Sequence, residues 1–170
     1  MDIEQTTFDI YEAKQNVKNA LAATSEWRKA AAEDFAFMQG KQWQDGDLKN
    51  MREAGRPAIT INRIRPVINL LCGYASQNET EPDFLPRSEE DDRISRVAKG
   101  ITKYCLDRAN YQRNKGKCFR DKIICGLANY WVSYEFDYTK LDGTIQIERV
   151  SPFDAFIDPE CKKDDLSDAQ

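Results

Sequence analysis

Catalysis needs side chains that exchange protons, hold metals or attack, and this sequence has few in usable combinations. There is no histidine in its 170 residues, so neither a Ser-His nor a Cys-His nucleophile pair can be built. Cys72, Cys105, Cys118, Cys125 and Cys161 are odd in number and irregularly spaced, with no Cys-x-x-Cys pair. That pattern argues against zinc. No Gly-rich loop joins a strand to a Lys-bearing helix, so the chain carries no ATPase signature. Asp154, Asp158 and Glu160 are the carboxylates that a metal-dependent nuclease would use. Their places beside Pro152 and Pro159 suit turns better than a metal site. The sequence therefore assigns no catalytic residue, no cofactor and no metal ligand.

The remaining chemistry is charge, laid out in blocks. Residues 113–122 hold Arg113, Lys115, Lys117, Arg120 and Lys122 against Asp121. Arg113, Lys117 and Arg120 fall at i, i+4 and i+7, one face of a helix, with Tyr111 nearby; such a face could meet phosphates without reading sequence or meet another subunit. Residues 49–65 are also basic, with Lys49, Arg52, Arg56, Arg63 and Arg65 against Glu53, whereas residues 79–92 carry seven acids against Arg87. Blocks of alternating sign suit contact between neighbouring copies as well as solvated faces.

The elements that must position these charges read as helices first and a hairpin last. Residues 7–39 show apolar residues at three- and four-residue steps, which predicts one long amphipathic helix stopped by Gly40. A short helix is expected over 47–53. The stretch 55–84 then reads as the crosspiece of the fold. Gly55 and Pro57 make a corner, Ile59-Thr60-Ile61 is a short β-branched run, and Asn62 caps a helix whose stripe is Val67, Leu70, Leu71 and Tyr74. If Trp43 and Leu71 are core residues, truncating either to Ala costs about 2–5 kcal/mol. Ser88 and Asp91 suggest a capping box for the next helix, whose stripe is Ile94, Val97, Ala98, Ile101, Tyr104, Cys105 and Arg108. A further helix spans 111–127, ended by Gly126. Tyr130 to Tyr138 and Thr144 to Val150 alternate with period two about Asp142-Gly143, a hairpin turn signal. One more extended piece is expected over 151–159. The fold class is α+β, long amphipathic helices followed by an antiparallel β-hairpin, in two parts: 1–87 and 88–170.

Composition sets the outer bounds. Hydrophobic residues make up 41% of the chain and charged residues 32%, against roughly 25% charged in an average domain, an excess that suits long solvated helices or surfaces meeting other chains. The net charge of −4 excludes no partner, because the blocks differ in sign. The opening MDIEQTTFDI has neither a basic nor an apolar leader region, so no secretory signal is expected. The longest apolar run, 67–75, falls short of the ~20 residues that span a bilayer. Unpaired cysteines among apolar neighbours point to a reducing compartment, the cytoplasm.

The ordered set Phe37-Met38-Gln39-Gly40-Lys41-Gln42-Trp43, then Gly55-Arg56-Pro57 through Asn62, then a helix ending in Gly73, resembles the N-terminal region of tailed-bacteriophage portal proteins of the short-tailed type. The later run Ile145 to Asp168, with Ser151-Pro152 and Ile157-Asp158-Pro159, is similar too. On that resemblance Gly40, Trp43, Gly55, Pro57 and Asn62 are motif residues. The resemblance implies a wing-like fragment of a longer structural protein rather than an enzyme. It implies a ring of twelve copies at a capsid vertex, through which double-stranded DNA enters and leaves. The implied partners are further copies of the chain, capsid and scaffold proteins, terminase, tail or adaptor proteins and non-specific DNA, with no membrane. The implied location is the virion, and the host cytoplasm during assembly. The alternative reading is a stand-alone intracellular DNA-binding module using helix 113–122.

Overall fold

A computed structural model describes residues 10–78, 80–86, 91–138 and 142–163. Among them run α1 (Ile10–Ala23), α2 (Ser25–Gln39), α3 (Asp45–Glu53), α4 (Ile64–Gln77), α5 (Asp92–Arg108) and α6 (Tyr111–Cys125). Two antiparallel strands follow, β1 (Asn129–Asp137) and β2 (Asp142–Val150). The α+β class, helices first and hairpin last, is as the sequence predicts.

The single helix expected over 7–39 is two, and residues 7–9 lie outside the described residues. At Thr24 the backbone leaves helical values, φ −95° and ψ 6°. Its hydroxyl donates to the Ala20 carbonyl at 2.7 Å, beside the N–H that already bonds there at 3.0 Å. Side-chain competition for a carbonyl one turn back bends helices.

At the far end of α2, Gly40 adopts φ +96°, with its N–H on Phe37 O and the Lys41 N–H on Ala36 O, both at 2.9 Å. This paired closure needs a left-handed residue, which glycine supplies. The Asn62 carboxamide ties the corner together. Its Oδ1 accepts from the N–H groups of Ile64 and Arg65 at 3.1 Å, and its Nδ2 donates to Met38 O at 2.9 Å. One side chain thus caps the start of α4 and the end of α2. Between Gly55 (φ +65°) and Asn62 the chain has no regular secondary structure and is exposed.

The crosspiece is α6, not the 55–84 stretch. Helices α2, α4 and α5 and strand β2 all pack against α6. Its inward residues Cys118, Asp121 and Cys125 are buried and small, which lets neighbours approach from several sides. The stripes expected to bury α4 and α5 face out instead. Val67, Leu70, Leu71 and Tyr74 are 44–72% exposed, and Ile94, Val97, Ile101 and Tyr104 are 55–67% exposed. In α4 the buried residue is Ile68, one position off the stripe, and the helix does not end at Gly73 but runs on to Gln77, because Gly73 keeps φ negative and does not form a left-handed cap. Trp43 is 37% exposed, so neither it nor Leu71 is a core residue in this chain. The core consists of Ala20, Ala31, Ile68, Ala109, Cys118, Cys125 and Pro152. The large apolar side chains of α4, α5 and β1 are among the exposed ones, so much apolar surface is left for contact with something else.

In the hairpin, Phe136 pairs with Gly143 and Asp137 with Asp142, so Asp142-Gly143 lies within β2 rather than forming the turn. Gly143 serves a close approach. A Cβ there would sit 1.8 Å from the Tyr134 hydroxyl oxygen, so the Tyr134 ring occupies the space a side chain would need. The segment 151–159 forms turns, with no strand, because Pro152 is buried and Asp154 N–H bonds back to Ser151 O at 2.9 Å. The capping residue proposed at Ser88 and the tail 164–170 lie outside the described residues.

Candidate functional site

The basic helix is held in place by polar contacts on its inner side. Asp121, the one acid in the 113–122 block, is buried and receives the Arg149 Nε of β2. Arg149 is held more firmly protonated by that hydrogen bond. Two turns earlier the Asn114 Nδ2 donates to Ile147 O at 2.6 Å. The Cys118 thiol lies against Asn129 O at 3.5 Å. Burial pushes Cys118 above the usual thiol range, which keeps it protonated and makes it a packing group rather than a nucleophile. Burial, together with Cys118, also pushes the Tyr130 hydroxyl up to about 12.

Since Asp121 is committed inward, the cations of α6 keep their charge for the outside. Among the described residues none of Arg113, Lys115, Lys117, Arg120 or Lys122 forms an ion pair. Arg113 and Lys117 are exposed. Arg120 differs, because it is half-buried with its guanidinium 3.7 Å from the Met38 sulfur of α2. The structure therefore brings Arg113 and Lys117 to one open face and turns Arg120 partly into the α2 contact. On another side of α6, Tyr111, Lys115, Phe119 and Lys122 face Cys72, Ser76 and Asn78 of α4 and its end across an open cleft of about 450 Å³.

A second anchored cluster joins the two ends of the chain. Arg28 of α2 donates to the carbonyls of Phe153 and of Ala155, the latter at 2.9 Å, and its guanidinium lies 5.1 Å from the Phe156 ring centre. The Phe153 ring sits 6.4 Å from Trp27 and 5.7 Å from Phe35. Trp27 Nε1 donates to Cys125 O at 3.2 Å, at the end of α6. Sequence reasoning missed Arg28, because its acceptors are carbonyls more than a hundred residues away. The Asp121–Arg149 pair left a trace, a lone acid inside a basic block.

The carboxylates weighed as metal ligands do not converge. Asp158 accepts from the Glu160 N–H at 2.9 Å as a local turn, and Asp154 is exposed. Among the described residues no group of three His, Cys, Asp or Glu side chains could hold a metal ion, and no helix is long and apolar enough to cross a membrane. The arrangement offers an outward basic face and uncovered apolar stripes, which are features of contact rather than bond chemistry.

Comparison with known proteins agrees with that character. The family model described as "Phage P22-like portal protein" matches residues 14–170. A portal protein of the Helicobacter pylori bacteriophage KHP30 is 24% identical over 143 residues, covering 79% of this chain and 23% of the relative. The chain thus spans less than a quarter of that curated relative's length.

Proposed function

The chain belongs to the phage P22-like portal protein family, and from that premise we propose that it forms part of the wall of a portal ring at a capsid vertex. The ring is a conduit for DNA packaging and ejection and the platform for terminase and tail or adaptor proteins. Capsid and scaffold proteins are its other neighbours, with assembly in the host cytoplasm. The role is structural, and the motor that hydrolyses nucleotide is a separate protein. Residues 1–87 supply the capped helical corner, and 88–170 supply the α5–α6 pair with its hairpin.

The observation that carries this reading is the outward set of the α4 and α5 stripes. Eight large apolar residues on two well-formed helices, Val67 to Tyr74 and Ile94 to Tyr104, stand 44–72% exposed. Patches of that kind mark surfaces that other chains cover. Arg113 and Lys117 are read as subunit or phosphate contacts on the outer face, with Arg120 a lesser contributor. Native mass measurement and negative-stain imaging of the intact gene product test the reading. Closed rings of one discrete copy number are expected; a monomer at all concentrations contradicts it.

The second reading, a DNA-binding module, is favoured by the unpaired cations of α6 alone. It requires tight DNA binding that weakens steeply with salt and is lost in Arg113→Glu/Lys117→Glu. Retention of DNA by that double variant rules it out.

A further inference from the structure

We infer that the exposed, unassigned segment 57–62 of one copy adds as a third strand to the open β1 edge of the hairpin in the next copy; the inference rests on the ring reading above. The segment has strand character without a sheet. Ile59, Thr60 and Ile61 are β-branched residues suited to a pleated surface, and Ile59 and Ile61 are 69% and 71% exposed. Among the described residues no N–H or C=O of 57–61 bonds another backbone group. Strong backbone donors and acceptors set out in this way are normally satisfied by a partner.

The hairpin presents the complementary deficiency. Strand β2 packs on α5 and α6, while β1 is held chiefly by its pairing with β2. The β1 residues Trp131, Val132 and Tyr134 are 62–64% exposed. Among the described residues β1 has a strand on one side only; an unpaired edge is a template for strand addition, and a two-stranded sheet is marginal by itself, whereas a third strand stabilises it.

Charge selects between candidate strands. Residues 56–65 carry Arg56, Arg63 and Arg65 and no acid. The two strands carry Glu135, Asp137, Asp142 and Glu148, and their one cation, Arg149, is committed to Asp121. The segment 57–62 is itself uncharged, but the arginines that flank it, Arg56, Arg63 and Arg65, are opposite in sign to the carboxylates of the hairpin, so the two surfaces are sign-complementary at the segment's ends. No backbone hydrogen bond joins the two within one copy. A ring needs a heterologous contact, in which two different patches of the same chain meet. This chain carries one of each, so the occupant is a second copy.

The test uses the intact protein under assembly conditions. In a background with Cys72, Cys105 and Cys161 replaced by Ser, Thr60→Cys is combined in turn with a cysteine at each β1 position from Tyr130 to Phe136, which samples both faces of the strand and the registers that seat Thr60 on it. Mild oxidation of rings is expected to give a ladder of covalent multimers on a non-reducing gel from at least one pair, and none from the single variants. Assembled rings in which no pair yields a ladder overturn the inference while leaving the portal reading standing. A parent protein that never assembles overturns the portal reading itself. Thr60→Pro and Ile61→Pro remove adjacent N–H groups, which point to opposite sides of a strand, so one of the two is expected to raise the concentration needed for assembly at least tenfold, with Ile61→Val close to the parent. Assembly of both proline variants at the parent's concentration also overturns the inference.

Discussion

Two regions of this molecule are built from opposite materials. The seam that joins α2, α6, β2 and residues 151–156 is closed by small apolar residues, by the Trp27, Phe35 and Phe153 rings, and by polar groups with named partners: Asp121 with Arg149, Arg28 with two carbonyls, Trp27 with the Cys125 carbonyl. The outward faces of α4, α5 and β1 carry the larger apolar side chains, and within one copy they touch little. The usual expectation, large apolar residues inside and polar residues outside, is inverted in the second region. Helix amphipathicity shows that a face will be covered. It does not show whether the cover comes from the same chain.

The comparison breaks most readily at Arg149. Arg149→Ala leaves the buried Asp121 carboxylate without its partner, so the expected loss is about 3–5 kcal/mol in denaturant unfolding. Asp121→Asn is expected to cost less, because the Arg149 side chain is 32% exposed against 6% for Asp121 and can hydrate. Equal losses would mean that the pair's asymmetry of burial is unimportant. Next comes Arg28→Ala, which removes the bond to each of two carbonyls and is expected to cost about 2–3 kcal/mol by the same measurement.

In the other region the ranking reverses between assays. Leu71→Ala and Tyr74→Ala are expected to change the isolated chain's stability by no more than about 0.5 kcal/mol, yet to weaken assembly clearly in sedimentation. A large loss of monomer stability would show that the stripe is packed within one copy.

What the sequence made legible was local. The Gly40 and Gly126 stops, the Asn62 cap and the period-two strands each depend on a few neighbouring residues, and each appears in the structure. Contacts between distant residues were not legible. Arg28 and its acceptors are separated by 125 and 127 positions, and carbonyls exist at every residue, so no residue type flags them. Asp142-Gly143 misled for a related reason, since the glycine answers to the Tyr134 ring across the pair rather than to a turn. The apolar stripes of α4 and α5 were seen correctly as stripes. Their destination was misread because periodicity has no term for a neighbouring chain.

A smaller effect sharpens the same contrast at the exposed strap 81–84. Glu81 pairs with Lys103 and Asp83 with Lys99, both at 2.9 Å, and the Ser95 hydroxyl donates to Phe84 O. The hydrogen bond from each lysine lowers the pKa of its carboxylate partner from the ordinary 4.5 for Glu81 and 3.8 for Asp83. Their contribution is therefore fully present above those ordinary values and is lost as pH falls through the lowered ones. Carboxyl NMR titration is expected to place both midpoints below the ordinary values, with the strap loosening in that acid window. Midpoints at the ordinary values would show that the pairs do not persist in solution.

The central claim is that the inverted region is covered by neighbouring copies, and hydrogen–deuterium exchange compared between unassembled and ring-assembled protein tests it most directly. Added protection is expected in peptides covering 57–62, 64–77, 92–108 and 129–137, with little change over 111–125, where α6 is already packed. Equal exchange of those four segments in both states, in a sample verified as rings, would contradict the account.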